Sequence, residues 1–258
     1  MVQRARAGTY TLRFPTIDGH VATTLRVPSG SLGLRDLVPL AQAVSAQAVK
    51  RSVQVEREQG REISCRAGCG ACCRQLVPIS APEAFRLADH VLSLDEAARD
   101  RFLARIDEVD AQVAESGMLD DLLALESGMP ADAAGFAARY FGQRIACPFL
   151  VDESCGVYEE RPLSCRHFLV TSPAAWCAEP TLHSIRTVPM PPLLSGALSS
   201  AAAALLGEPP VMIPLSIAMR WVDAHAEQGM REWPAEEVTV ALMRALGIPE
   251  EDITRAMA

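Results

Sequence analysis

Apolar and polar residues alternate along Thr9–Phe14 and again along His20–Val27, with Asp18-Gly19 between the two runs. A period of two marks strands that bury one face, and Asp-Gly accepts the positive φ of a tight hairpin turn. The segment predicts a β-hairpin closed by Pro28, Ser29 and Gly30. The period then changes. From about Leu34 to Glu58, apolar residues (Leu37, Leu40, Ala41, Val44, Ala48) recur every three or four positions. This spacing predicts a long helix, with Gly60 as its C-terminal cap.

Further helices follow from their start signals. Ser80, Pro82 and Glu83 combine a hydroxyl cap, an early proline and an acidic third helical residue, predicting a helix to about Leu92. Another begins at Leu94 or Asp95 and runs past Val113, its stripe Ala98, Phe102, Ile106, Val109 and Val113 reading as a packing face. Shorter helices are expected at Leu119–Glu126 and Ala131–Phe141. Pro148, Pro162, Pro173 and Pro180 break residues 145–180 into loops and short helical turns. Helices are expected near Pro191–Leu206, Pro214–Glu227 and Pro234–Leu246, with a last turn near Glu250–Ala256. The predicted fold class is mainly α with a small N-terminal β-hairpin and irregular metal-binding loops between helices. Three regions are expected within one compact unit: the hairpin and long helix (1–60), a cysteine-bearing region with a helical insertion (61–180), and a helical region (181–258).

Composition narrows the functional classes. Hydrophobic residues at 49% and charged residues at 22% suit a globular chain rather than a disordered one. A formal charge of −8 leaves no excess of cations to displace counterions, which argues against nucleic-acid or anionic-membrane binding. The apolar stretch Leu193–Leu206 is too short and too interrupted to span a bilayer, and Met1–Leu12 lacks the apolar core of a secretory signal. The expected location is the cytoplasm. Lys50 is the only lysine, so arginine supplies nearly all the positive charge, a bias that points to a GC-rich bacterial source.

In a reducing compartment the eight cysteines read as metal ligands or redox thiols rather than disulfides. Cys65, Cys69, Cys72 and Cys73 lie within nine residues, with Gly68 and Gly70 among them. Cys147, Cys155, Cys165 and Cys177 follow after a helical stretch. Short spacings let one turn aim several sulfurs at one centre, and glycine lets the backbone bend around it. Thiolates favour zinc, iron or iron–sulfur clusters over hard cations. Side chains of adjacent residues diverge, so Cys72 and Cys73 suggest more than one simple four-ligand ion. Cys177, remote from the rest, has a plain alternative as a small apolar filler.

Arg66, Arg74, Arg144, Arg161, Arg166 and His167 lie in or beside the clusters and could offset thiolate charge or donate to sulfur. His167 stands two residues after Cys165 as a candidate ligand or donor to one, and His183 is a weaker candidate. His20, His90 and His225 lie away from the clusters. Tyr158 is expected to pack with its hydroxyl bonded, and Pro162 to start a helical turn that delivers Cys165.

The pattern Cys65-x3-Cys69-x2-Cys72-Cys73, then Cys147-Pro-Phe-Leu, Cys155-Gly-Val-Tyr158, Arg161-Pro162 and Cys165-Arg166, resembles the bacterial YkgJ-like cysteine-cluster family over roughly residues 62–170. That resemblance implies a zinc- or iron-chelating protein with Cys65, Cys69, Cys72, Cys73, Cys147, Cys155 and Cys165 as candidate ligands. Cys177 falls beyond the core pattern. A related cysteine motif in flagellin lysine N-methylase makes a modifying enzyme conceivable, yet no glycine-rich methyl-donor turn is present.

The leading expectation is a metal-binding protein whose partner is a metal ion or cluster: an iron–sulfur cluster or iron, with zinc as the alternative. The second is an iron-dependent oxidoreductase or protein- or peptide-modifying enzyme, with a protein partner or peptide substrate; no catalytic residue stands out. Cys65, Cys69 and Cys72 also have the spacing of radical S-adenosylmethionine enzymes, but the chain lacks the strand–helix alternation of their barrel.

Overall fold

A computed structural model describes residues 8–257; residues 1–7 and Ala258, the ends of the two expected terminal regions, lie outside the described residues. Strands β1 (Gly8–Thr16) and β2 (Gly19–Val27) form the expected hairpin, with Thr16 opposite Gly19. Its turn is Ile17-Asp18 rather than Asp18-Gly19, and neither turn residue has positive φ. Gly19 therefore opens the second strand. Leu12, Phe14, Leu25 and Val27 face inward, onto α1 (Leu37–Glu58). A three-residue strand, β3 (Ser31–Gly33), and a single 3-10 turn at Leu34–Asp36 lead into that helix.

Helix α1 buries Leu37, Leu40, Ala41, Val44 and Ala48, the expected stripe. Each leucine removed from water in such a face stabilises the fold by about 1.5–3 kcal/mol. The helix ends as predicted. Gly60 adopts φ 73°, its N–H donates to Arg57 O (2.9 Å), and Arg61 N–H donates to Glu56 O (2.9 Å). This paired cap satisfies two carbonyls of the last turn.

Strand β4 (Pro78–Ile79) precedes α2 (Ala81–Ser93), α3 (Glu96–Glu115), α4 (Leu119–Ala124) and α5 (Ala133–Gly142). The Asp95 carboxylate caps α3 by accepting from Ala98 N–H at 2.9 Å. Val109 and Val113 of α3 pack with Leu122 of α4 and Phe136 and Tyr140 of α5 in a second cluster beside the main core. Next come the short strands β5 (Leu150–Val151) and β6 (Ser154–Cys155) and the one-turn helix α6 (Leu163–His167). Helix α7 (Pro192–Leu206) buries Leu194, Ala197, Leu198, Ala201 and Leu205, as expected of an internal helix. It packs against α10 (Ala235–Ala245); β7 (Ile213–Pro214), α8 (Ala218–Ala224), α9 (Ala226–Gly229) and β8 (Glu232–Pro234) lie between them in sequence, and α11 (Glu250–Met257) follows.

The chain is mainly helical, and the described strands pair only as four antiparallel two-stranded sheets. That arrangement holds no β/α barrel among the described residues. The pairings β3–β8 and β4–β7 were not anticipated. Strands of two or three residues carry no readable period, and their partners lie across most of the chain. Pro78–Ile79 beside Ile213–Pro214 matters most, because it draws Leu215 to the cysteines: Leu215 N–H donates to Val77 O at 2.9 Å. No helix of the described residues is long and apolar enough to cross a membrane.

Candidate metal centre

The first cysteine segment is bent by two glycines. Gly68 takes φ 78°, open to glycine at little cost, and Ala71–Arg74 then form a single 3-10 turn that carries Cys72 and Cys73. Cys73 N–H donates to Gly70 O (3.0 Å) and Gln75 N–H to Cys72 O (3.1 Å). Gly70 is fixed by crowding: a Cβ there would meet the Glu153 carboxylate and stand 2.9 Å from Leu150 Cδ1. At the other end, Ser64 N–H donates to Val170 O (2.9 Å), and Val170 N–H points to Cys65 Sγ at 3.4 Å.

The second segment is bonded directly to the first, through Cys147 N–H to Cys73 O at 2.7 Å. Strands β5 and β6 turn through Asp152 (φ 47°) and Glu153 (φ 56°). Two consecutive positive-φ residues make a type I′ turn, a place usually filled by Asn-Gly or Asp-Gly. The strain of a left-handed glutamate is held by Arg74, whose guanidinium pairs both Glu153 oxygens at 2.6 and 3.0 Å. The hairpin thereby sets Cys155 over the first segment.

Cys165 rides on α6, whose first residue follows Pro162 as expected. The buried carboxylate of Glu83 joins this helix to the start of α2. It accepts from Ser80 N–H (2.8 Å) and Ser80 Oγ (2.6 Å) in the predicted capping box, and from Leu163 N–H (2.6 Å). Burial pushes this carboxyl above its ordinary range, against the hydrogen bonds from Ser80 and Leu163. Cys177 lies on a 3-10 turn, Ala174–Ala178, and is buried at 4% exposure.

All eight cysteines are free thiols, and all eight line one cavity of about 420 Å³. The remainder of the wall is mostly apolar, with Leu76, Phe149, Val157 and Phe168 joined by Leu215 from the C-terminal region. Cys177 belongs to this wall, so its burial is burial against the cavity. Among the described residues no three His, Cys, Asp or Glu side chains are disposed to hold one metal ion. The sulfurs ring the space instead of meeting at a point.

The donors are nonetheless of the kind soft metals take. Burial pushes the Cys147 thiol up to about 12 and raises Cys65, Cys155, Cys165 and Cys177 as well, with neighbouring cysteines adding to the rise. Cys72 departs from the group: a hydrogen bond from Cys73 brings it down to about 7, and the same bond raises Cys73. So many buried thiols cannot all ionise around an empty space, whereas a cation or cluster among them inverts that balance. In donor chemistry the wall fits the implied metal.

The other sequence candidates divide. Arg161 and Arg66 line the cavity. Arg74 is neutralised by Glu153, while Arg144 lies over the Phe141 ring (4.6 Å) and donates to Ala178 O. Arg166 donates to the carbonyls of Arg161 and Glu159. His167 is not in the cavity wall. Its Nε2 is 2.8 Å from Ser45 Oγ on α1, and burial lowers it to about 4. His183 stacks on Trp176 at 4.9 Å, and His225 stacks on Trp221 at 4.0 Å. Tyr158 corrects the expectation of a packed, bonded phenol. It is 56% exposed, its hydroxyl has no partner among the described residues, and its ring face carries the Arg161 guanidinium at 3.6 Å. Tyr158 stands on the 3-10 turn Tyr158–Glu160, none of whose residues is buried.

Eight thiols around one cavity define a cysteine-cluster domain. Residues 64–181 match the CxxCxxCC family model, described as a putative zinc- or iron-chelating domain, a pattern of the YkgJ-like type. The match spans less than half of the chain, leaving the hairpin with α1 and the C-terminal helices outside it. No curated protein and no solved structure matches the chain.

Proposed function

We propose that the protein binds an iron–sulfur cluster or iron, with zinc as the alternative, through Cys65, Cys69, Cys72, Cys73, Cys147, Cys155, Cys165 and Cys177. The observation that carries this reading is the gathering of two distant cysteine segments around one cavity. A lone zinc ion needs only four sulfurs about 2.3 Å away, a small closed shell. Eight thiols spread around about 420 Å³ suit a centre of more than one metal atom better. Such a group, when bound, supplies electron transfer or Lewis acidity. The chain's own part is to hold the thiols and to exclude water with an apolar wall.

The three sequence regions are read as one unit around this centre, supported by a main core that runs from Leu12 to Ile253. A cytoplasmic setting is proposed from the unpaired thiols, which a reducing compartment preserves. A second reading, an iron-dependent oxidoreductase or a protein- or peptide-modifying enzyme, is favoured by the space beside the thiols.

The test is metal analysis and a visible spectrum of protein purified without oxygen. An absorption near about 400 nm would support an iron–sulfur centre. Cys65→Ala and Cys165→Ala should lose the metal; full occupancy in both would overturn the assignment.

A further inference from the structure

Two arginines line the cavity, Arg66 and Arg161, and Arg161 is the one that is half-buried and held by neighbouring groups while lacking an acidic partner. The neighbouring carboxylates are already taken, Glu153 by Arg74 and Glu160 by Arg86. Among the described residues no carboxylate lies within ion-pair distance of Arg161. Two contacts hold it in place. Its Nε donates to Tyr158 O at 3.1 Å, and the guanidinium carbon stands over the Tyr158 ring, 3.6 Å from its centroid. Its terminal nitrogens have no hydrogen-bond partner among the described residues. A planar fork held rigid and left open at its end is the form in which arginine receives an oxyanion through two parallel hydrogen bonds.

The surroundings add the rest of a binding site. Tyr158 and Arg161 both line the cavity, and Tyr158 is more than half exposed, which places the pair on the solvent side. The same wall carries Leu76, Phe149, Val157 and Phe168, apolar side chains suited to a small hydrocarbon body. A cavity of about 420 Å³ falls within the size range of small-molecule sites, which are mostly apolar with a few placed polar groups.

We infer that Arg161, seated on Tyr158, anchors a small oxyanion ligand, a carboxylate or phosphate on a compact apolar body, within the thiol-lined cavity. The inference rests on the proposed metal centre, beside which this ligand would lie.

The test uses the full chain, loaded with metal without oxygen and titrated calorimetrically with butyrate and, separately, with inorganic phosphate. Saturable binding of either anion is expected, and the stronger of the two identifies the source of the oxyanion. Arg161→Gln should weaken binding at least about tenfold while metal per chain stays unchanged. Arg161→Lys should fall between, because an ammonium keeps the charge and loses the fork. Tyr158→Leu, at an exposed position that leaves the fold intact, should weaken binding a few-fold. No saturable binding of either anion to the loaded protein would overturn the inference, as would undiminished binding by Arg161→Gln. Loss of metal in Arg161→Gln would also overturn it, by assigning Arg161 to the charge balance of the centre. The two readings separate cleanly: a chain that carries no metal defeats the proposed centre, yet Arg161-dependent anion binding by that chain would leave the subsite standing.

Discussion

The main-chain N–H of Cys147 donates to the carbonyl of Cys73 at 2.7 Å, so the two cysteine segments share a backbone hydrogen bond. Side-chain changes cannot remove that link directly, but they can remove the room it needs. Replacing Gly70 by alanine would drive a methyl group into Glu153 and Leu150. Such overpacking costs about 1–3 kcal/mol. Gly70→Ala should lower the denaturation midpoint and reduce metal per chain, both measurable on one preparation. An unchanged midpoint would show that the β5–β6 hairpin yields freely.

Glu83 offers a second handle. Its carboxylate receives three donors, from Ser80 and Leu163. Glu83→Ala would strand them in the interior at a cost of about 3 kcal/mol, while Glu83→Gln keeps one carbonyl acceptor and should cost less. Urea unfolding of the two variants checks the order. A loss of stability without a change in metal retention would separate the cap from the placement of Cys165.

These two sites separate the features that local sequence carries from those it does not. Ser80, Pro82 and Glu83, like Gly60, announce helix ends because capping is a transaction between residues three or four apart. The bond from Leu163 to Glu83 spans most of the helical insertion, and no local pattern encodes it. Asp152-Glu153 escaped notice for a related reason: the turn has no glycine, and Arg74, far away in sequence, holds it. Cys65, Cys69, Cys72, Cys73, Cys147, Cys155 and Cys165 are legible as a group in the sequence pattern, whereas the place of Cys177 beside them in one cavity, and the shape of that cavity, are not. The wall depends on Leu215, brought in by the β4–β7 pairing. Tyr158 was misjudged because an aromatic in an apolar motif usually packs, and here it serves as the seat of a guanidinium.

Cys72 should be the most reactive thiol of metal-stripped protein near neutrality. The hydrogen bond from Cys73 holds it at about 7, while burial holds Cys147 near about 12. Alkylation by iodoacetamide, followed by peptide mass spectrometry, should label Cys72 ahead of Cys147, with a rate that rises with pH through about 7. Metal-loaded protein should be protected. Faster labelling of Cys147 would contradict the assignment.

Acid should act at the end of α1. Arg61 bonds both oxygens of the nearly inaccessible Glu56 carboxylate, at 2.5 and 3.0 Å, and this holds the carboxyl below its ordinary value. A depressed folded-state pKa contributes stability above the unfolded value, and that contribution is lost as pH falls through the folded one. The wild-type melting temperature should therefore drop more steeply than that of Arg61→Gln between about pH 5 and pH 3, the range where carboxylates titrate. Parallel slopes in thermal melts would remove the pair from the acid response.

The helical insertion between the two cysteine segments has a consequence for how the protein is made. The first four thiols leave the ribosome well before Cys147, and Cys177 trails Cys73 by 104 positions (177 − 73). At translation speeds of about 5–20 residues per second, that gap lasts on the order of 5–20 s. Until Cys147 emerges the nascent chain presents half a set of sulfurs, and until Leu215 emerges the wall that encloses them stays incomplete. Loading during synthesis would therefore begin on an open half-site, and closure waits on the last third of the chain.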